Sequence, residues 1–385
     1  MNYTERMNAL AFEQWGQFDF DGDESAIISL LNDEKTFRSF GEGLMWLIKT
    51  KEPSIAENNI LKYISSACKA NGVAEREIGS VNTLKSWFRN GPRPKKGEDS
   101  RDSLFALAFA LTFTIEETIE LFHKVYLDRA FDFRNEKEMV YYFCLSKGKS
   151  WCDAKRIISN IARQTEVNDV TLYTAEIKSD VEGFVDENDL LSYIQTHRHN
   201  LEQSNITAKK YFEKLLEKAK KYAIKEAQLP ENEELFDGSW RNESTVSVNF
   251  MYTVITAINP STKKGTTTVF KNARFPKEIK NRFPEALSFS EKEPTSESMR
   301  KMLVTLFSYV FWYRIQWKHK DYDIEDYTAQ LNALLNECGY SPLYYGNPFD
   351  WLFLYCTLSD NPLDAFRNIL AESLELEGME ESDEE

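Results

Sequence analysis

Residues 101–125 read RDSLFALAFALTFTIEETIELFHKV, and their pattern is the strongest indication of a helical fold in this chain. Apolar residues recur there at the intervals of three and four that mark one face of a helix. They are Leu104, Leu107, Ala108 and Leu111. Thr114 then precedes Glu116 and Glu117, an order typical of a helix start. The sequence therefore predicts two consecutive helices, over 104–111 and 115–125.

The same order of residues occurs twice along the chain, which marks an internal repeat. The first copy contains Arg101, Leu104, Leu107, Asn135, Glu138 and Cys144, and the second contains Arg300, Leu303, Leu306, Asn347, Asp350 and Cys356. In both copies the acidic residue follows the asparagine by three positions, and the cysteine follows the acidic residue by six. We infer that two helical modules are built on one plan.

The spacing within each copy has a physical reason. Asn135 and Asn347 lie in turn-like sequence, where an asparagine can cap the helix that follows. The acidic residue then falls in the first turn of that helix, where the helix dipole favours negative charge. Cys144 and Cys356 are expected to be small buried residues, since unpaired cysteines are usually buried.

Composition indicates a folded protein with packed interiors. The 385 residues are 42% hydrophobic and include 26 Phe, 18 Tyr and 8 Trp, which is far from the composition of disordered chains. No apolar run reaches the roughly 20 residues needed to span a bilayer. Five scattered cysteines favour neither a disulfide framework nor a zinc site. From these features we expect a cytoplasmic protein that does not enter a membrane.

Charge is unevenly distributed along the chain. The formal net charge is −15, and eight acidic residues follow position 371 with no basic residue among them. Such a terminus is expected to be a solvated, disordered tail. Between residues 38 and 101, by contrast, twelve basic residues face seven acidic ones, a net charge of +5. Prolines and glycines at 91–97 predict a loop at the end of this basic segment.

The sequence favours a mainly α fold, consisting of an N-terminal five-helix bundle and further helical modules. Residues 246–254 alternate between apolar and polar types, so a small β-hairpin is predicted near 245–270, although the same apolar residues also fit a helix. The predicted regions are an N-terminal arm (1–36), a first domain with the first helical module (37–150), a helical middle region (151–229), a linker with the hairpin (230–297), the second helical module (298–371) and the acidic tail (372–385).

Residues 37–142 resemble the lambda-repressor/Cro-like helix-turn-helix domains of bacteria and phages, with the helical extension that follows such domains in Gram-positive proteins. The matching segments are 40–44, 60–64 and 83–88 for three helices, the loop 91–94, and 104–111 with 115–125 for two more. Ten residues separate Gly72 from Thr83, where the family has a tight turn. The resemblance implies a five-helix bundle whose third helix enters the major groove, often as a dimer.

A helix over 81–89 would bury Leu84, Trp87 and Phe88 on one face. Its opposite face would carry the side chains that can meet base edges and phosphates, namely Asn82, Lys85, Ser86 and Arg89. Arg93, Lys95 and Lys96 would follow as contacts to the nucleic-acid backbone. The predicted function is therefore a DNA-binding transcriptional regulator with double-stranded DNA as partner. Its repeated modules would form a homo-oligomer or receive a signal.

No phosphate-binding glycine loop, metal-ligand set or nucleophile–base pattern occurs, so we expect a non-enzymatic protein with no cofactor and no metal. An alternative function is a protein-interaction scaffold in a phage or phage-defence setting, without direct DNA reading. Exposed aromatic residues of the second module would then hold the protein partner. The candidates are Phe311, Trp312, Tyr313, Trp317, Tyr344, Tyr345 and Trp351.

Overall fold

The computed structural model describes residues 24–32, 36–89, 93–161, 172–201, 206–228, 248–258, 268–269, 275–276, 295–318 and 323–383. Helices account for most of these residues, so the predicted mainly α fold is confirmed. No helix in these ranges is both long enough and apolar enough to cross a bilayer. Residues 1–23 of the predicted arm, and residues 230–247 of the predicted linker region, lie outside the described residues.

The chain forms two compact units. The first unit comprises Arg38–Thr207 and Asn336–Ser341, and the second comprises the described parts of Met1–Phe37, Ala208–Leu335 and Pro342–Glu385. The predicted domain end at residue 150 does not coincide with a unit boundary. Trp151, the next residue, stacks on Tyr141 with ring centres 5.3 Å apart, and such packing ties the following helices into the first unit.

The described helices are numbered in chain order. They are α1 (Glu24–Asn32), α2 (Phe40–Lys51), α3 (Ile60–Ala70), α4 (Glu75–Ile78), α5 (Val81–Trp87), α6 (Glu98–Ala110), α7 (Ile115–Glu120), α8 (Glu136–Ser146), α9 (Trp151–Asn160), α10 (Thr174–Gly183), α11 (Glu187–Leu201), α12 (Ile206–Ala227), α13 (Val248–Thr256), α14 (Ser296–Lys318), α15 (Ile324–Glu337), α16 (Pro348–Thr357) and α17 (Pro362–Asp383). A 3-10 turn (Glu57–Asn59) precedes α3, and a π-helical turn (Leu121–Tyr126) continues α7.

Helix α6 forms the centre of the first unit. Every residue from Leu104 to Ala110 is buried, because neighbouring helices cover this helix on all sides rather than on one face. The ring of Phe105 lies 4.6 Å from that of Phe122 and 4.8 Å from that of Tyr141. This aromatic cluster joins α6 to the π-helical turn and to α8.

The first repeat copy closes around a buried ion pair. Arg101 donates from Nε and Nη2 to the two carboxylate oxygens of Glu138, at 2.6 and 2.7 Å. Glu138 also accepts the main-chain N–H of Asp132, and Arg101 donates to the carbonyl of Ala130. The pair therefore fixes the loop before α8 as well as joining α6 to α8.

The second copy repeats this arrangement within the second unit. Arg300 donates from Nη1 and Nη2 to the two carboxylate oxygens of Asp350, both at 2.8 Å. Asp350 accepts the N–H of Tyr344, six residues before it, as Glu138 does from Asp132. Arg300 donates to the carbonyl of Pro342, eight residues before the acid, as Arg101 does to Ala130. The two modules therefore share this set of hydrogen bonds, as the inferred common plan requires.

The predicted helix caps are confirmed. The Asn135 side chain accepts the N–H groups of Lys137 and Glu138 at the start of α8, and Asn347 accepts that of Phe349 at the start of α16. Thr114 caps α7 through a reciprocal pair of hydrogen bonds with Glu117. Cys144 and Cys356 are both buried with free thiols, as expected.

The predicted first strand of the hairpin is wrong. Residues 248–256 form helix α13, and its apolar residues Phe250, Met251, Tyr252, Val254 and Ile255 are buried. A run that is apolar at most positions satisfies a buried helix as well as it satisfies a strand. The described strands are β1 (Thr268–Val269) and β2 (Phe275–Pro276), which pair antiparallel, with Thr268 opposite Pro276. Residues 259–267 of the predicted hairpin lie outside the described residues.

Two predictions for the chain ends are corrected. The segment 372–383, predicted to be a disordered acidic tail, continues helix α17 as far as Asp383, because Glu, Leu and Met favour helices. Residues 24–32, predicted to be part of an arm, form α1. This helix buries Ile27, Ile28 and Leu31 and packs against α17.

Candidate nucleic-acid interface

The segment before α5 contains a helix that the sequence did not predict. Residues Glu75–Ile78 form the single turn α4, and only Gly79 and Ser80 separate it from α5. Gly79 has a φ of 151°, which side chains with a Cβ rarely adopt. The long gap noted between the second and third predicted helices is therefore occupied by a short helix followed by a tight turn. Its sequence signal was Glu77, whose carboxylate caps the N–H of Ala74.

Helix α4 is anchored by two glutamates to two different helices. The Ser65 hydroxyl of α3 donates to Glu75 at 2.5 Å. Glu77 accepts the indole N–H of Trp151 at 3.0 Å and the ammonium of Lys155 at 2.8 Å, both from α9. Burial opposes the ionised form of Glu77, but these hydrogen bonds outweigh it and lower the pKa of the carboxyl. A single helical turn with such anchors gives α5 a fixed starting point.

Helix α5 is held from its inner face. Ser80 caps it by accepting the N–H of Thr83, and Leu84 and Trp87 are buried. The Trp87 ring meets Phe40 of α2 edge-on, with centres 4.9 Å apart. The predicted helix over 81–89 is therefore confirmed as far as Trp87, with Leu84 and Trp87 as anchors, while Phe88 is half-buried at its end.

Three of the four residues predicted to read DNA lie on the outer side of this helix, and the fourth, Arg89, lies two residues beyond its end. Asn82, Lys85, Ser86 and Arg89 are all exposed, and we call them the α5 edge. The side chains of Lys85 and Arg89 form no ion pair or hydrogen bond with any residue in the described part of the chain. Asn82, Lys85 and Ser86 lie at i, i+3 and i+4 on one face of α5, and Arg89 lies in the turn that follows the helix. The edge presents an amide, a hydroxyl and two cations that have no partner in the described part of the chain.

Two of the three basic residues predicted to follow the edge have internal partners. Arg93 donates to the carbonyls of Val125 and Arg38, and Lys96 donates to those of Tyr126 and Leu127. The π-helical turn ends at these residues and leaves carbonyl groups that need donors. Lys95 is exposed. Arg93 and Lys96 thus fix the loop after α5, which is a different role from the predicted backbone contact.

Exposed cations are common on the basic segment, 38–101. Of its twelve basic side chains, four form ion pairs and Arg93 binds carbonyls. The remaining seven are exposed and form no ion pair with the described residues. They are Arg38, Lys62, Lys69, Arg76, Lys85, Arg89 and Lys95. The net positive charge of the segment therefore resides on its surface, where a polyanion can reach it.

The aromatic surface expected for a protein partner is not present as predicted. Five of its seven residues are buried in the core of the second unit, namely Phe311, Trp312, Tyr313, Tyr344 and Trp351. Trp312, for example, donates from its indole to the hydroxyl of Thr357 and stacks on Phe353. Trp317 is exposed and Tyr345 is half-buried. Packing within the module explains why this segment is rich in aromatics.

Two thiols of the first unit, Cys68 and Cys144, are buried, whereas Cys152 is exposed. Burial raises the pKa of the Cys68 thiol to about 11 and that of the Cys144 thiol to about 12, so both remain protonated at neutral pH. Among the described residues no group of His, Cys, Asp and Glu is arranged to hold a metal ion. The exposed side chains of the α5 edge are therefore hydrogen-bonding groups and cations.

Comparisons with protein-family models, with curated proteins and with solved structures found no match to this chain. The resemblance to lambda-repressor/Cro-like domains accordingly stays a prediction based on residues 37–142.

Proposed function

We propose that this chain is a DNA-binding regulatory protein whose helix α5 reads double-stranded DNA. The observation that carries the proposal is the exposure of the α5 edge, with two cations that have no partner in the described structure. A helix held by Trp87 and Leu84 presents this edge in one orientation. A helix that is already fixed in place loses less entropy on binding than one that must first be ordered.

The size of α5 suits a groove contact. Its seven residues extend about 10 Å at 1.5 Å per residue, and the major groove of B-DNA is about 12 Å wide. Asn82 can form the paired hydrogen bonds that an amide makes with adenine, while Arg89 and Lys85 can bind guanine or phosphate. Ser86 can donate to either a base or a phosphate oxygen.

Sequence preference is the property that separates reading from non-specific attraction. Selection from a random duplex library with the full chain is expected to enrich a short common motif. The variant Asn82→Ala should relax the preference at one position of the motif, because a bidentate base contact contributes about 1–3 kcal/mol of discrimination. Lys147→Ala serves as a control, since Lys147 is an exposed cation at the end of α8.

Two results would contradict the proposal. One is selection that enriches no motif, with binding no tighter than micromolar at physiological salt. The other is an enriched motif that stays unchanged when Asn82, Lys85 and Arg89 are replaced together, since α5 would then not be the reading element.

A further inference from the structure

The N-terminal end of α2 is pressed against the C-terminal end of α5. A Cβ placed on Gly41 would lie 2.0 Å from the carbonyl oxygen of Trp87, so only glycine permits this approach. Arg93, just beyond α5, donates to the carbonyl of Arg38 at 3.1 Å. The residues around Arg38 are therefore direct neighbours of the end of the α5 edge.

Arg38 has the features of a cation available to a ligand. It is exposed, and its guanidinium forms no ion pair with the described residues. The guanidinium lies over the half-exposed ring of Trp46, 5.3 Å from the ring centre. An aromatic face orients a guanidinium without neutralising its charge, so the charge remains available for an anion.

The other charged groups around Trp46 are already engaged. Lys124 lies 5.5 Å from the centre of the same ring but pairs with Glu120, and Lys49 pairs with Glu57. Glu42, one turn into α2, accepts the N–H of Ser39 at 2.8 Å in a reciprocal cap. This cap also occupies the N–H of Glu42, so the cation of Arg38, and not the helix end, is the group offered to an anion.

We infer that Arg38 binds a phosphate of the same DNA duplex that α5 reads, next to the groove that α5 enters. This inference rests on the proposed function and adds a backbone contact outside the α5 edge. The phosphate would face the guanidinium from solvent, with Trp46 behind it. The contact would set the angle at which α5 enters the groove, because phosphate contacts fix orientation rather than sequence.

The test compares charge variants of the full chain on the selected duplex. Arg38→Ala is expected to weaken binding about fivefold at low salt and to lower the slope of log K against log salt by about 0.9, the value for one phosphate contact. Glu42→Gln should tighten binding, because glutamine retains the cap and removes a negative charge beside the phosphate. Lys147→Ala should leave both quantities unchanged.

Trp46 supplies a second readout. The fluorescence change of the wild-type chain on adding duplex should be larger than that of Trp46→Phe, because a phosphate at Arg38 alters the surroundings of this indole. Suppose that the wild type binds the duplex and that the double variant Lys85→Ala with Arg89→Ala binds it more weakly. If Arg38→Ala and Glu42→Gln then both bind as the wild type does, the inference is wrong and the proposed function stands. If the wild type binds no duplex, the proposed function itself is wrong.

Discussion

The guanidinium of Arg101 and the carboxylate of Glu138 face each other through two hydrogen bonds of 2.6 and 2.7 Å inside the first unit. Both residues are buried. Burial raises the pKa of Glu138, yet the ion pair is retained and reappears as Arg300 with Asp350 in the second unit. The pairs join the first and third helices of each module, so each module depends on one buried arginine.

Removing one charge of the buried pair should destabilise the protein strongly. Glu138→Gln removes the bidentate counterion of Arg101 and leaves only Asp128, 3.3 Å from Nη1, so the free energy of unfolding should fall by about 3 kcal/mol, the lower end of the range for a broken buried pair. Asp350→Asn should have an effect of the same order in the second unit. Urea unfolding followed by circular dichroism measures both.

Glu98→Gln is the matched control for these variants. Glu98 pairs with Lys137 at 2.6 Å, but its side chain is 59% exposed. Exposed pairs contribute about 0–1 kcal/mol, so this variant should unfold nearly as the wild type does. Equal unfolding midpoints for Glu138→Gln and Glu98→Gln would show that the buried pair has no special importance.

Gly41→Ala tests the contact between α2 and α5. The new methyl group would meet the carbonyl of Trp87 at 2.0 Å, and a backbone atom cannot turn aside as a flexible side chain can. We expect α5 to be displaced. The free energy of unfolding should fall by about 1–3 kcal/mol, and DNA binding should be weaker. Gly183→Ala at the end of α10 is the control, because a Cβ there meets nothing within 4 Å. Equal stability of the two variants would rule out this close approach.

Glu187 should make stability depend on pH in the acid range. Hydrogen bonds from Arg156 and Lys149 lower its pKa from 4.5 to about 2. The stabilisation is therefore complete above the unfolded value of 4.5 and is lost as pH falls towards 2. Glu187→Gln should unfold more easily than the wild type at pH 6, by less than about 1 kcal/mol because the pair is near the surface. The difference in urea midpoint should shrink at pH 3; a difference that stays constant would exclude this linkage.

Helix starts could be predicted because capping is local. Asn135, Asn347 and Thr114 each act within three residues of their own position, so the sequence contains the whole signal. The partner of Glu138 could not be predicted in this way. Arg101 lies 37 residues away, and no periodicity connects two residues on different helices with a further helix between them. The repeat placed both residues in one pattern without indicating that they touch.

The helix of the candidate interface could be predicted from the sequence, but the contacts of the residues around it could not. The spacing of Leu84 and Trp87 indicated which side of α5 faces inward, and the α5 edge is exposed accordingly. From the sequence, Arg93 and Lys96 appeared as available for contact with DNA as the residues of the α5 edge. Their actual partners are carbonyls exposed by a π-helical turn, and the sequence pattern carried no signal for that turn.

The most direct test is an anisotropy titration of a labelled selected duplex between 50 and 200 mM salt. For the wild-type protein, the logarithm of the association constant should fall linearly with the logarithm of the salt concentration. Lys85→Ala with Arg89→Ala should bind more weakly, with a slope smaller by up to about 1.8 if both cations contact phosphate. If the double variant matches the wild type in both affinity and slope, α5 does not contact the DNA.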